Sequence, residues 1–339
     1  MLAAFTQLKN AERVRNYLIA RQVINLKFQP VKDLGGIYFP IIQNINVPDA
    51  EVVETKFSFP FKPETITIDN LLANKLTTPE LALLPRSQEI VGKIMILEVP
   101  EELGDKEKII ADSYLKLNPQ ISTVVKKTKM HSGVYRTRAV KILAGKKTKE
   151  TVHLENGVKI KLHLEKTYFS ARSGNERLRI AKLVKKGEIV LVMFSGAGPF
   201  PLVIAKNSPA KKVLGIEINP FAHQYSLNNL ELNKLKDRVI FYPGEVRKVI
   251  PKLKSKFNRI VMPLPKSSEE YLDLALKKIK PGGVIHLYLF LEKSKIVQNA
   301  KRIKELCLKY GYGVKILRKV KCGQYSPSVY RVCLDLKVE

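Results

Sequence analysis

Apolar spacing along the chain changes character near residue 164. Beyond that point short apolar runs at 188–194, 213–217, 238–242, 258–262 and 283–291 are separated by stretches whose apolar residues recur at helical spacing. Strand-length runs alternating with helices predict a doubly wound parallel sheet. The final piece, GVKILRKVKCGQYSPSVYRVCLDLKV, predicts a hairpin around a Gly/Ser/Pro loop that adds two strands to the sheet edge. Before residue 164 the pattern is mixed. Residues 10–21 read as an amphipathic helix, GGIYFPII at 35–42 as a strand, and EIVGKIMILEVP at 89–100 as a strand pair or one long strand. Residues 101–119 have helical spacing with acids in the first turn, and 133–145 and 152–165 return to strand character. Asn156-Gly157 sits between alternating segments, a strong hairpin signal.

Two prolines in FPFKPET at 59–65 suggest a linker. The expected organisation is a small α+β domain over 1–62, an α+β middle domain over 66–163 and an α/β domain over 164–339. The length suits two or three such units, with no internal repeat or low-complexity tract.

Charge changes the picture most. Lys and Arg number 60 against 31 Asp and Glu, a formal net charge of +29. A surplus of that size repels itself unless a polyanion is present, so nucleic acid is the expected partner. Lysine enrichment of habitat is the plain alternative, although it usually raises Glu as well. Residues 119–149 hold nine Lys and Arg and no acid, with His131, Gly133 and Tyr135 interleaved. Lys126, Lys127, Lys129, Arg136 and Arg138 in this stretch, with Arg172 and Arg177 further on, are the candidate RNA contacts. Cys307, Cys322 and Cys333 form no CxxC pair and the five histidines lack ligand spacing, so no metal is expected. Neither a cleavable leader nor an apolar span is evident, which points to a cytoplasmic protein with no membrane partner.

The first strand of the α/β domain ends in FSGAGPF. Gly196 and Gly198 permit a sharp turn and close approach of a ligand, but Pro201 stands where a dinucleotide fingerprint has its third glycine. GKS and GKT are absent, so a P-loop is excluded, and a nicotinamide oxidoreductase is a poor alternative. Glu217 ends the second strand 21 residues after Gly196, where a carboxylate can take both ribose hydroxyls. Glu245 follows the third strand, placed to accept from an adenine amino group. Glycine turn, ribose acid and adenine acid at successive strand ends form the layout of an S-adenosylmethionine site. Phe194, Ile218, Val246 and Pro263 flank these positions and complete the expected cofactor contacts. Val192 occupies the place before the turn where many such enzymes have an acid. The fourth strand runs into Pro263-Leu264-Pro265-Lys266, without the Asn or Asp that exocyclic-amine methylation needs. A ring nitrogen, an activated ring carbon or a ribose oxygen remains as acceptor.

YRTRAVKILAG (135–145), KTYFSARSGNERLRI (166–180), MFSGAGPF (193–200), GIEINP (215–220), VMPLPK (261–266) and QYSPSVY (324–330) together resemble the archaeal and eukaryotic tRNA (guanine-N1)-methyltransferases that act at guanosine 37. The likeness runs from about residue 86 to the C-terminus and is loose over the first 60 or so residues. It implies a class I, Rossmann-like S-adenosylmethionine-dependent methyltransferase domain with appended α+β RNA-binding domains, releasing S-adenosylhomocysteine. The implied partner is the anticodon stem-loop of tRNA, with tRNA-Phe the expected species and a monomer the expected state. By the same resemblance Arg136 holds the guanine O6, Glu176 is the general base and Tyr168 lies near the target base. Pro263 in place of the family's usual Asn, and Glu217 in place of the commoner Asp, resemble the archaeal branch linked to wyosine synthesis. Members of that branch methylate C7 of 4-demethylwyosine to give isowyosine, some in addition to N1 of guanosine 37 and others alone; Arg177 also fits it.

The chemistry is consistent from below. N1 of guanine carries a proton, so its methylation needs a base and a group that holds charge on O6. A base of this kind typically contributes ~10²–10⁴-fold. Each residue has a plainer reading beside this one. Glu176 could pair with Arg177 or Arg179 at a helix start, and Arg136 could contact a phosphate. A tRNA-binding protein that keeps the fold without turnover is the competing function.

Overall fold

The computed structural model describes residues 1–62 and 66–339, and the side chains of these apart from 129–132. The expected linker at 59–65 therefore lies partly outside the described residues, as does the Lys129 side chain.

The chain divides into two compact units, Met1–Leu71 and Leu72–Glu339. In the first, β1 (Leu2–Thr6), β2 (Val31–Lys32), β3 (Ile37–Pro40) and β4 (Glu51–Glu54) form an antiparallel sheet in the order β2-β3-β1-β4. Helix α1 (Ala11–Ala20) covers it, burying Val14 and Leu18 against Ala4, Ile37 and Phe39. Helix α2 (Ile68–Leu72) spans the division between the units.

The second unit begins with α3 (Thr78–Ala82), whose capping box joins Thr77 and Glu80. The expected strand pair is a hairpin, β5 (Glu89–Val91) and β6 (Ile94–Leu97). Helix α4 (Glu107–Leu117) follows, then β7 (Thr123–Ser132) and β8 (Thr137–Gly145), giving a sheet in the order β5-β6-β7-β8. The basic stretch is thus a long β-ribbon whose tip is the Gly133–Arg136 turn.

The Asn156-Gly157 hairpin forms as β9 (Glu150–Glu155) and β10 (Val158–His163). A division at 163/164 places it with the middle domain, and it does bond there: the Gly92 N–H donates to His153 Nδ1 at 3.1 Å. It is tied equally to the α/β part, where the N–H groups of Lys159 and Lys161 donate to Asn233 and Asn229 at 2.8 and 2.7 Å.

Helix α5 (Gly174–Leu183) leads into the large sheet. Its elements are β11 (Ile189–Met193), α6 (Pro199–Asn207), β12 (Lys212–Glu217), α7 (Pro220–Leu232), β13 (Val239–Pro243), α8 (Val246–Val249), β14 (Phe257–Met262), α9 (Leu272–Lys278), β15 (Ile279–Glu292), α10 (Ile296–Lys309), β16 (Val314–Gln324) and β17 (Val329–Val338). The strand order is β13-β12-β11-β14-β15-β17-β16, with β11–β15 parallel and β17 antiparallel to β15. The final hairpin extends the edge as expected, with its second strand inserted next to β15. Strand order reverses between β11 and β14, and ligands of such sheets bind outside the strand ends at that switch point. Val192, Val261 and Leu287 bury the sheet on both faces, and no helix among the described residues is long and apolar enough to cross a membrane.

Candidate active site

β11 delivers its last residues into a strained turn. Phe194 has φ 59° and Gly196 and Gly198 have φ 57° and 88°. An aromatic residue in the left-handed region costs ~1–3 kcal/mol and persists only where the surroundings enforce it. Here the Ser195 N–H donates to Ile216 O at 2.8 Å, and the Gly196 N–H donates to Glu217 Oε2 at 2.6 Å. The other Glu217 oxygen accepts from the Asn219 N–H at 2.8 Å, and Asn219 caps α7 ahead of Pro220. Burial raises the Glu217 carboxyl above its ordinary value, against the pull of these backbone donors.

A cavity opens at this turn, outside the ends of β11 and β12. Phe194, Gly196, Glu217, Ile218, Glu245, Val246 and Pro263 line it, as does the hairpin tip through Val134, Tyr135 and Arg136. Seven of the eight expected cofactor residues are thus brought together. Gly198 is the exception. It faces the Phe241 ring, where a Cβ would stand 2.7 Å away, so its role is packing of the turn on β13.

The residues fit S-adenosylmethionine. Each Glu217 oxygen has a lone pair left over for a ribose hydroxyl, Val246 and Ile218 offer apolar walls to a purine, and nothing but the Tyr168 carbonyl, at 3.6 Å, approaches the Cβ side of Gly196. Val192 is wholly buried inside the sheet, so no acid reaches the cavity from that place.

A second cavity adjoins the first. Tyr168, Phe194, Gly196 and Pro263 belong to both, so the expected acceptor residues Tyr168 and Pro263 stand at their junction. Phe169, Phe200 and Pro265 give this second space flat apolar walls, and Tyr288, Arg177 and Arg331 bring polar groups to it. Ser195 Oγ and Arg331 Nε, both on residues of its lining, are buried without a hydrogen-bond partner among the described residues. Buried polar atoms are rarely left unpaired, so both are available to a ligand in this space. Arg136 is half-buried at the rim, and its φ of 50° aims it from the hairpin turn. Burial lowers its guanidinium below the ordinary value, partly offset by Tyr168 and Tyr325.

Glu176 is set back from both cavities. Its carboxylate is buried and receives Arg179 through two bonds of 2.7 and 2.8 Å, so the plainer ion-pair reading is realised with Arg179. The Tyr288 hydroxyl donates to it at 2.6 Å.

Two of the expected RNA contacts are buried and ion-paired. Arg177 is held by Glu155 through paired 2.5 Å bonds and lies over the Phe169 and Phe200 rings, and Arg138 is buried against Glu89 at 2.7 Å. Arg138 is turned into the fold, whereas Arg177 lines the second cavity. Lys126 and Lys127 keep some exposure but are paired with Glu107 and Glu98. The acids absent from 119–149 arrive from α4 and the loop after β6. Arg172, Lys146 and Lys147 remain exposed, with no ion pair among the described residues.

Sequence reasoning missed Tyr271, edge-on to Phe194 at 5.0 Å, and Ser195, Tyr288 and Arg331. Arg331 directly follows the QYSPSVY segment, so that motif was its available signal. Tyr288 had none, being one apolar position in a long strand. His286, Cys333 and Asp335 lie within 4.8 Å of one another, but Arg259 and Arg179 are bonded to His286 and Asp335, which leaves a cation poorly placed.

Residues 151–317 match the family described as the TRM5/TYW2 methyltransferase domain, and residues 68–148 match the TYW2 N-terminal domain. The tRNA (guanine(37)-N(1))-methyltransferase Trm5b of Pyrococcus abyssi is 33% identical over 341 residues, covering 99% of each chain. The tRNA 4-demethylwyosine(37)-methyltransferase Taw21 of Saccharolobus solfataricus is 36% identical over 250 residues, covering 74% of this chain and 92% of that protein. The solved complex of aTrm5 and tRNALeu superposes with a TM-score of 0.70 at 27% identity, covering 100% of both chains. With the strand order and the turn at Gly196 already in place, these matches are decisive: the chain belongs to the TRM5/TYW2 family of methyltransferases.

Proposed function

We propose that this protein transfers a methyl group from S-adenosylmethionine to the purine at position 37 of tRNA, at N1 of guanosine, at C7 of 4-demethylwyosine, or at both. The observation that carries the reading is the pair of adjoining cavities that share Tyr168, Phe194, Gly196 and Pro263. One suits the donor, and the other has the flat apolar walls and unpaired polar atoms that an extruded base would use. The likeness to Trm5b over nearly the whole chain, first unit included, supports methyl transfer and N1; the likeness to Taw21 supports C7.

When bound, S-adenosylmethionine supplies an electrophilic methyl whose departing sulfur keeps the bonding pair. Glu217, Glu245 and Val246 hold the donor's nucleoside, with Phe194 and Pro263 at the boundary between the two ligands. Arg136 sits at the rim to hold the purine carbonyl, and Tyr168 provides a ring beside it. Extruding the base costs a few kcal/mol, which phosphate contacts from Arg172, Lys146, Lys147 and the rest of the +29 surface offset. A cytoplasmic monomer acting on tRNA-Phe completes the proposal. Incubation with labelled donor and tRNAs bearing either purine, followed by nucleoside mass spectrometry, tests it.

A further inference from the structure

The expected base, Glu176, is buried behind the residue that does line the acceptor cavity. Tyr288 comes from β15, its ring wholly buried and edge-on to Phe200 at 6.0 Å, and its hydroxyl gives a 2.6 Å bond to Glu176 Oε1. We propose that Tyr288 is a catalytic residue, the relay through which the acceptor's proton reaches Glu176. This rests on the reading of the second cavity as the purine site.

The balance is simple. The N1–H bond of guanine breaks, its electron pair stays on nitrogen and forms the bond to the incoming methyl. The proton goes to the Tyr288 oxygen as the hydroxyl's own proton moves to Glu176. Tyr288 ends as it began, and Glu176 ends protonated. For C7 of 4-demethylwyosine the same relay removes the ring proton after the methyl has added.

The surroundings suit a relay. Both Glu176 oxygens are already held by Arg179, which fixes the carboxylate and leaves the Tyr288 side as its route to the cavity. Arg179 is itself anchored by Asp335 at 2.8 Å, Asp335 accepts from His286 at 2.6 Å, and His286 meets Arg259 at 2.7 Å. Arg259 closes on Glu188 at 2.8 Å. Charges alternate along this buried line, which fixes the position of the Glu176 carboxylate beside the Tyr288 hydroxyl. The other titratable groups facing Tyr288 are the thiols of Cys322 and Cys333, which burial pushes up and keeps protonated. Burial likewise raises the Tyr288 phenol well above its ordinary value, so it hands protons on without resting as phenolate.

The test uses the full chain, S-adenosylmethionine and whichever of the two tRNAs the wild type methylates. Tyr288→Phe keeps the ring, and its kcat should fall by ~10²-fold or more, while KM for donor and tRNA stays within about threefold. Glu176→Gln added to it should cost little further, because residues acting as a unit are not additive. Incorporation of 3-fluorotyrosine at position 288 keeps both ring and hydroxyl and acidifies the phenol, and it should change the single-turnover rate at fixed pH. A Tyr288→Phe enzyme with near-wild-type kcat, or a 3-fluorotyrosine enzyme with an unchanged single-turnover rate, overturns the relay while leaving the methyl-transfer reading intact. A wild type inactive on both tRNAs overturns that reading and the relay with it.

Discussion

The Glu217 carboxylate receives the backbone N–H of Gly196 at 2.6 Å, joining the end of β12 to the turn that follows β11. One side chain therefore shapes the glycine turn and faces the donor cavity. Glu217→Gln keeps the size but removes the charge and can accept only one of the two backbone N–H bonds, and donor affinity measured by calorimetry should fall ~10-fold or more. Burial raises the Glu217 carboxyl, so donor affinity should begin to weaken at a higher pH than an exposed carboxylate would give, falling as the group is protonated.

Gly198 faces the Phe241 ring at a φ of 88°. Gly198→Ala should lower stability by ~1–3 kcal/mol through backbone strain and the clash. Adding Phe241→Leu should return part of the loss in thermal melts, since it relieves the clash but not the dihedral. No recovery would mean that Phe241 does not set the constraint.

Arg177 and the exposed Lys146 and Lys147 should behave oppositely. Arg177→Ala strands the buried Glu155 and should cost ~3–5 kcal/mol of stability, with the salt dependence of tRNA binding unchanged. Replacing Lys146 and Lys147 with Ala should leave the melting temperature alone and flatten the slope of log affinity against log salt, by ~0.7–0.9 for each phosphate no longer neutralised.

Asp335 makes stability depend on acid. Burial alone would raise its carboxyl, but bonds from His286 and Arg179 outweigh it and hold the group below the ordinary 3.8. The unfolded chain then takes up a proton that the folded one refuses, so this contribution is complete well above pH 3.8 and is lost as pH falls through and below it. Burial lowers the His286 imidazole below 6.5, which adds a loss in the same direction as pH drops past that value. Denaturant titrations from pH 7 to 3 should show both, and Asp335→Asn should remove the lower one. An unaltered lower limb would assign it to other carboxylates.

Much of this was legible in the residues. Strand–helix alternation located the five parallel strands to within a few residues, because β11, β12 and β14 are short apolar runs buried on both faces. Gly196, Glu217 and Glu245 were readable because each ends or follows a strand on the same side of the sheet. The ion pairs of Arg138 and Lys126 were not legible, since linear spacing cannot show that Glu89 and Glu107 come back across the fold to pair with them. Gly198 carried the same ambiguity, as its ring neighbour Phe241 is 43 residues away in the sequence. Tyr288 was invisible for a related reason: nothing in its own strand marks the bond to Glu176, 112 residues earlier.

The central claim is transfer of a methyl group to the purine at position 37, and nucleoside mass spectrometry reads it directly. With methyl-labelled S-adenosylmethionine and two tRNAs, one with guanosine 37 and one with 4-demethylwyosine, the label should appear at that nucleoside in at least one, as a single methyl increment. A larger increment from another part of the donor, label elsewhere in the tRNA, or no label in either would contradict the account.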